Sequence, residues 1–151
     1  MPNKIHADYS SGNALYAVIR DRDGLVWCPA EQAFEVWGEG GNDAADYALA
    51  LADTGGSHYV GDLDLDIPGG SYSIQVFRQI GAEPADTDTL IDCREMLWTG
   101  SGELTATKLL ANRALQDKAT GRIDFYDDNG QTLLLTLAPW DTQGFVARLP
   151  G

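Results

Sequence analysis

Three aspartates at alternating positions, Asp62, Asp64 and Asp66, have the spacing most suggestive of chemistry in this sequence. In an extended segment they project from one face, where like charges repel and Ca²⁺ could relieve the repulsion through oxygen ligands. An EF-hand loop needs a glycine at its sixth position and a later bidentate glutamate, whereas Ile67 and Pro68 come next here. We therefore favour a solvated acidic face, which also discourages strands from pairing edge to edge. Calcium binding by these aspartates stays open.

The two histidines, His6 and His58, give no pattern for catalysis or metal binding. Neither has a ligand partner at helical or CxxH spacing, and there is no GxSxG nucleophile elbow. The glycine motifs that cradle phosphate are also missing. The sequence therefore predicts two surface histidines, no catalytic residue, no metal and no cofactor.

The two cysteines, Cys28 and Cys93, lie far apart in the chain and belong to no CxxC zinc pattern. Such cysteines are commonly small buried hydrophobic residues. A disulfide between two strands is the alternative, and the spacing does not decide between them.

Aromatic residues are the remaining candidates for binding, since the chain has four tryptophans and six tyrosines. Aromatic faces on a surface stack against sugar rings, although several tryptophans of a small β domain belong in its core. Trp140 stands between Pro139 and Asp141 and has the least core-like setting. We take it as the best interface candidate among the aromatics.

Composition narrows the class of protein. The chain has 151 residues, 44% of them hydrophobic, and 17 glycines, which suits one core built from short strands and tight turns. Its formal charge of −13 repels phosphate backbones, and acids flank the few clustered bases, so we expect no nucleic-acid binding. No apolar run approaches the length of a membrane span, and the polar segment Met1–Ser11 does not resemble a signal peptide. We expect a protein that is made in a cytoplasm and does not bind membranes.

Residues 5–99 read as a series of short strands separated by turns. Asn13–Arg20 and Leu25–Cys28 form a predicted hairpin, and Ser71–Gln79 alternates most clearly. The other predicted strands are Phe34–Trp37, Tyr47–Ala52, Tyr59–Ile67 and Thr89–Trp98. The sequence predicts a mainly β domain, an antiparallel β-sandwich of immunoglobulin or fibronectin type III kind.

Residues 100–151 have a different pattern. Glu103–Lys118 contains no Gly or Pro and predicts one α-helix, followed by extended runs at Arg122–Tyr126 and Gln131–Leu137 joined by an Asn-Gly turn. Gly144–Leu149 is a third candidate strand. The result is a helix with a β-hairpin or three-stranded meander, which is too small to bury much by itself. We expect this docking or oligomerisation element to pack through Leu104, Leu110, Leu115 and Trp140.

The segment Lys108–Leu137 resembles a helix–hairpin element of virion structural proteins in tailed bacteriophages. In that element a helix leads through an N-[RK]-x-[LV]-x-D-x-x-T-G stretch into a strand, a Tyr-Asp-Asp-x-Gly turn and a second strand. The runs Leu15–Arg20 and Ser71–Gln79 are similar to small β-sandwich modules of phage fibre, tail and baseplate proteins. The matching positions of the helix–hairpin element are Asn112, Arg113, Leu115, Asp117, Thr120, Gly121, Tyr126, Asp127, Asp128 and Gly130.

This resemblance implies a non-enzymatic structural component of a phage particle, in the tail, fibre, baseplate, connector or capsid decoration. Such a protein is made in the host cytoplasm, works in the virion and contacts other virion proteins, with a homo-oligomer expected. It implies no catalytic residue. The alternative from the residues themselves is a carbohydrate-binding or adhesion module that uses exposed aromatics and calcium held by acids.

Overall fold

The computed structural model describes residues 3–127, 129–142 and 145–150. The chain divides into two compact units, residues 1–100, called unit 1, and residues 101–151, called unit 2. Both are built mainly from antiparallel strands. The mainly β, antiparallel character expected from the sequence is therefore confirmed.

The described residues of unit 1, 3–100, form eight strands and two short helical segments. A 3₁₀ turn covers Glu39–Gly41 and helix α1 covers Ala44–Tyr47. The strands are β1 (Lys4–Asp8), β2 (Ala14–Arg20), β3 (Val26–Cys28), β4 (Ala33–Glu35), β5 (Leu49–Asp53), β6 (His58–Asp62), β7 (Gly70–Gln79) and β8 (Thr89–Trp98).

Strand β2 lies at the centre of this sheet. Strand β7 pairs with its whole length on one side, and β8 pairs with β7. On the other side, β5 pairs with the first half of β2, while β3 pairs with its last residue, Arg20. The sheet therefore branches at β2, with β6 and β1 following β5 and with β4 following β3.

Both faces of β2 are buried. Leu15, Ala17 and Ile19 belong to the larger core, which includes Trp27 and Trp98. Tyr16 and Val18 point to the opposite face and pack in a smaller cluster with Val26, Cys28 and Tyr47. A strand with only one buried face alternates apolar and polar residues. Strand β2 is apolar along most of its length because other residues pack on both of its faces.

The predicted strands of unit 1 agree with the structure except in four places. The prediction Phe34–Trp37 is wrong at its end, because β4 stops at Glu35 and Trp37 lies in the turn that follows. Tyr59–Ile67 is wrong beyond Asp62, because the chain turns there and leaves Leu65 60% exposed while Leu63 and Ile67 are buried. Tyr47–Ala52 is wrong at its start, since Tyr47 closes α1. The supposed polar leader contains strand β1, in which Ile5 and Ala7 are buried.

Helix α1 begins with a capping box. The Asp43 side chain accepts a hydrogen bond from the backbone N–H of Ala45, and the Asp46 side chain accepts one from the N–H of Asp43. These bonds satisfy donors that a four-residue helix would otherwise leave free. The result places Tyr47 inward, against the outer face of β2.

Where the structure describes unit 2, it has one α-helix and a four-stranded sheet in which successive strands are neighbours. Thr105 caps the helix by accepting a hydrogen bond from the N–H of Lys108. Within the described part of this unit the elements are α2 (Ala106–Ala111), β9 (Ala114–Gln116), β10 (Ile123–Tyr126), β11 (Leu133–Thr142) and β12 (Phe145–Pro150).

The helix predicted over Glu103–Lys118 is wrong in length. Residues 114–116 pair with β10 instead, and the N–H of Gly121 donates to the carbonyl of Asp117 to close a turn. Strand pairing therefore overrides helix propensity here. The predicted hairpin is confirmed as the β10–β11 pair, with Asp128 of its turn outside the described residues, and β12 is the expected last strand. The sheet has four strands, one more than the meander expected.

None of the helices in the described segments has the length and apolar character needed to cross a membrane.

Candidate functional site

Unit 1 has a groove of about 260 Å³ on the outer face of β2. Strands β2 and β7 form its floor, the loop after β4 forms one wall, and the loop between β7 and β8 forms the other. Its principal lining residues are Tyr16, Arg20, Trp37, Phe77, Ala85 and Asp86.

The floor is aromatic. Tyr16 and Phe77 are directly opposite each other in the β2–β7 register, and their rings stack 5.4 Å apart at 13°. Tyr16 is buried and Phe77 is half-buried, so Phe77 is the more accessible ring. Adjacent strands thus hold a rigid apolar surface at the bottom of the groove.

Trp37 forms the first wall, and its ring lies 4.8 Å from that of Tyr47. The Tyr47 hydroxyl donates to Glu35 (2.8 Å) and accepts from the backbone N–H of Gly38 (3.1 Å). Burial, with the hydrogen bond to Glu35, raises the pKa of Tyr47. This keeps the hydroxyl protonated, so α1 fixes the loop that carries Trp37.

Two charged side chains meet at Trp37. The Arg20 guanidinium carbon lies 4.9 Å from the centre of the Trp37 ring, within the range of cation–π attraction. The Trp37 indole N–H donates to Asp86 Oδ2 at 3.3 Å. Arg20 is held by Nε donating to Gln75 and Nη1 donating to the carbonyl of Gly24. A cation and an anion therefore stand beside the same aromatic ring.

Asp88 holds the second wall in place. Its carboxylate accepts hydrogen bonds from the backbone N–H groups of Ile80 (2.9 Å) and Ala85 (2.8 Å) and from the Tyr16 hydroxyl (3.1 Å). Although burial opposes ionisation, these donors together keep the pKa of Asp88 below its usual value. Burial, assisted by Asp88, raises the pKa of Tyr16 well above its usual value. Tyr16 is therefore a stable donor and Asp88 a stable acceptor at neutral pH.

The structure places the predicted interface leucines of unit 2 differently from one another. Leu110, on α2, is 88% exposed, and Leu115, on β9, is 43% exposed. Leu104 is half-buried, and the Trp140 side chain lies outside the described part of the structure. Leu133 at the start of β11 is also exposed (49%), which the sequence did not indicate because it alternates like a core residue.

The three aspartates of the acidic segment do not converge. Asp62 ends β6 and pairs with Lys4, Asp64 accepts from the Trp27 indole N–H (2.9 Å), and Asp66 accepts from Gln32. Within the described residues there is no group of three His, Cys, Asp or Glu side chains placed to hold a metal ion. Here the carboxylates organise turns and anchor a core tryptophan.

The two histidines come together, which their sequence positions did not reveal. His6 on β1 and His58 on β6 stack 5.3 Å apart, with Nδ1 of His6 3.2 Å from Nε2 of His58. Nδ1 of His58 lies 2.8 Å from Asp8. Only the β1–β6 register brings them together, so the three side chains form a shared hydrogen-bonded chain on the sheet surface.

The cysteines are not paired. Cys28 is buried in the smaller core, whereas Cys93 is exposed on β8, with its sulfur 3.2 Å from the Ser73 hydroxyl. Both cysteines are therefore free thiols, and the alternative of a disulfide between two strands is not found.

Comparison with known protein families, with curated proteins and with solved structures finds no match to this chain.

Proposed function

We propose that this chain is a non-enzymatic structural component of a phage particle that acts through protein–protein contacts. Unit 2 is the part proposed to make those contacts, and a second copy of unit 2 is its first partner. The exposure of three leucines on this small unit, Leu110, Leu115 and Leu133, is the observation that carries the proposal.

The interior of unit 2 supports this reading. Among its described side chains Leu134 is the only buried hydrophobic one, and the buried polar residues are Asp124 and Asp127. Lys108 pairs with Asp127 at 3.2 Å, so part of the interior is ionic. A buried ion pair contributes little net stability, since desolvation offsets much of the attraction. Covering exposed leucines would add roughly 1.5–3 kcal/mol for each one fully buried.

The distribution of charge supports self-association through the same unit. Residues 1–100 carry 17 acidic and 5 basic residues, a net charge of −12, whereas residues 101–151 carry 6 and 5, a net charge of −1. Two copies of unit 1 repel each other, while two copies of unit 2 are almost neutral. Contact between two copies of unit 2 is therefore opposed by less electrostatic repulsion than contact between two copies of unit 1.

The finer description of unit 1 as a sandwich of immunoglobulin or fibronectin type III kind also belongs to this proposal. Its antiparallel strands, packed around one large hydrophobic core, support it. Such a domain would present its loops to other virion proteins, as sandwich modules present binding loops at their ends.

The variant Leu110→Asp tests the proposed contact. Because Leu110 is 88% exposed, the substitution leaves the fold intact but places a charge on the contact surface. Sedimentation or light scattering should show that the unmodified chain self-associates and that Leu110→Asp has the mass of one chain, 16.3 kDa. Leu65→Asp, at a 60% exposed leucine of unit 1, is the matched control and should still self-associate.

A monomeric unmodified chain, or equal masses for both variants, would contradict the contact. The virion role has its own test in the neighbouring genes. Capsid, portal or tail genes beside this one are expected, whereas secretion or polysaccharide genes would favour an adhesion module instead.

A further inference from the structure

The groove on the outer face of β2 has the features of a built binding site. Its floor comes from two paired strands, and Asp88 fixes the loop between β7 and β8 through three hydrogen bonds. The other wall is fixed through Tyr47 and Glu35. A ligand would therefore meet a surface already in position, which lowers the entropy cost of binding.

Polar atoms at the rim have hydrogen-bonding capacity left over. Arg20 uses Nε and Nη1, and Asp86 uses Oδ2. Within the described part of the chain, Nη2 of Arg20 and Oδ1 of Asp86 have no hydrogen-bond partner. A two-hydrogen donor and a charged acceptor thus stand at the edge of an aromatic floor.

Charge around the groove selects a neutral ligand. Asp86 and Asp88, with a net charge of −12 on unit 1, disfavour an anion despite Arg20. A cation is disfavoured because Arg20 already occupies the cation position over Trp37. A hydroxyl group suits both rim atoms, since it accepts from a guanidinium and donates to a carboxylate.

Size selects a small ligand. A volume of about 260 Å³ is just below the range of roughly 300–1,000 Å³ that encloses a drug-sized molecule. The groove therefore has room for about one ring. A ring with an apolar face for Phe77 and hydroxyl groups at its edge meets all these conditions.

We propose that this groove binds a single neutral pyranose, with one ring face on Phe77 and vicinal hydroxyl groups on Arg20 and Asp86. This site is distinct from the assembly surface of unit 2 and needs no calcium. It gives the chain a glycan-contacting function in addition to the proposed structural one.

The indole N–H signals of the full chain test the proposal directly. Trp37 donates to Asp86 at the groove, whereas Trp27 and Trp98 donate to Asp64 and to the carbonyl of Ile67 inside unit 1. Neutral methyl glycopyranosides of differing hydroxyl configuration are titrated into ¹⁵N-labelled protein. For at least one sugar the Trp37 signal should shift in a saturable way while the Trp27 and Trp98 signals stay fixed.

Two carboxamide variants separate binding from general surface effects. Asp86→Asn keeps an acceptor oxygen but removes its charge, and it should raise the Kd for the sugar by about tenfold, because a hydrogen bond to a neutral acceptor is weaker than one to a charged acceptor. Asp92→Asn removes an exposed charge from β8 and should leave the titration unchanged. Asp86 is exposed, so neither variant threatens the fold.

Four outcomes would overturn the proposal. One is a Trp37 signal that no glycoside moves at high millimolar concentration. Another is a shift shared equally by all indole signals, or one that Asp86→Asn leaves unchanged. The last is a saturable shift produced by a short neutral peptide and by no glycoside, which would make the groove a peptide site.

Discussion

Single carboxylates organise loops in unit 1, and Asp53 is the best example. It accepts hydrogen bonds from the backbone N–H groups of Gly12 and Gly55, both at 2.8 Å, and from the Ser11 hydroxyl at 3.2 Å. These donors, led by Gly12 and Gly55, hold the pKa of Asp53 below its usual value. The ionised side chain therefore joins the β1–β2 loop to the turn between β5 and β6.

The lowered pKa of Asp53 predicts an acid-dependent loss of stability. A carboxyl whose pKa is lower in the folded state stabilises the fold above its unfolded pKa, and this contribution disappears as the pH falls through the folded pKa. Asp53→Asn should therefore lower the free energy of unfolding at pH 7. The difference from the unmodified chain should shrink as the pH falls below about 4. Urea unfolding at a series of pH values measures both.

Asp92→Asn is the control for charge alone, since Asp92 is exposed on β8 and accepts no such set of backbone hydrogen bonds among the described residues. A stability difference for Asp53→Asn that stays constant from pH 7 to strongly acidic conditions would contradict the argument. It would show that packing of the side chain, and not its ionisation, stabilises the loops.

At the scale of elements, Gly61 controls how closely β5 and β6 approach. A Cβ at this position would lie 2.8 Å from the carbonyl oxygen of Ala50 and would also collide with the Leu51 side chain. Because one of the colliding atoms belongs to the backbone of β5, a side-chain rotation alone cannot relieve the collision. Gly61→Ala should lower the free energy of unfolding by about 1–3 kcal/mol, the usual cost of overpacking.

Gly81→Ala is the matched control for this prediction. Gly81 lies in the exposed loop after β7, where a Cβ would meet only the carbonyl oxygen of Glu83, at 3.8 Å. Thermal unfolding should therefore show a clear decrease in Tm for Gly61→Ala and almost none for Gly81→Ala. Equal Tm values for the two variants would show that β6 moves away from β5 without penalty.

The elements that the sequence predicted well are those in which one local pattern has no competitor. Strands β7 and β8 coincide with the predicted runs almost residue for residue, because alternation and flanking turns agree there. The Asn-Gly signal gave the β10–β11 hairpin for the same reason. Local sequence patterns were therefore enough to predict a strand or hairpin where the tertiary contacts favour the same structure.

The failures arose where long-range contacts decided the outcome. Residues 114–116 have helix-compatible types, yet they pair with β10. Leu65 continues an alternating pattern, yet Asp64 is drawn to the Trp27 indole and the chain turns. The groove could not be predicted from the sequence either. Trp37 and Asp86 lie 49 positions apart, and they meet only after β2, β7 and their loops have folded. The Trp37–Asp86 pair has no local signature.

At the scale of the whole molecule, the uneven charge predicts that the proposed self-association through unit 2 depends on salt. Unit 1 has a net charge of −12 and unit 2 of −1, so two copies joined through unit 2 would bring two strongly acidic units into one complex. The Debye length falls from about 10 Å at 0.1 M salt to about 3 Å at 1 M, which screens this repulsion but leaves contacts between leucines intact. Sodium chloride should therefore strengthen the proposed association.

Sedimentation equilibrium at fixed protein concentration and increasing sodium chloride measures this dependence. The mean mass of the full chain should rise from 16.3 kDa toward a multiple of it, while Leu110→Asp stays at 16.3 kDa throughout. A fragment of residues 1–100 retains the acidic unit and both hydrophobic clusters, and it should stay monomeric at every salt concentration because it lacks the contact surface. A mean mass that falls as salt increases would mean that ion pairs between copies hold the assembly together. Association of the 1–100 fragment would instead place the contact in unit 1.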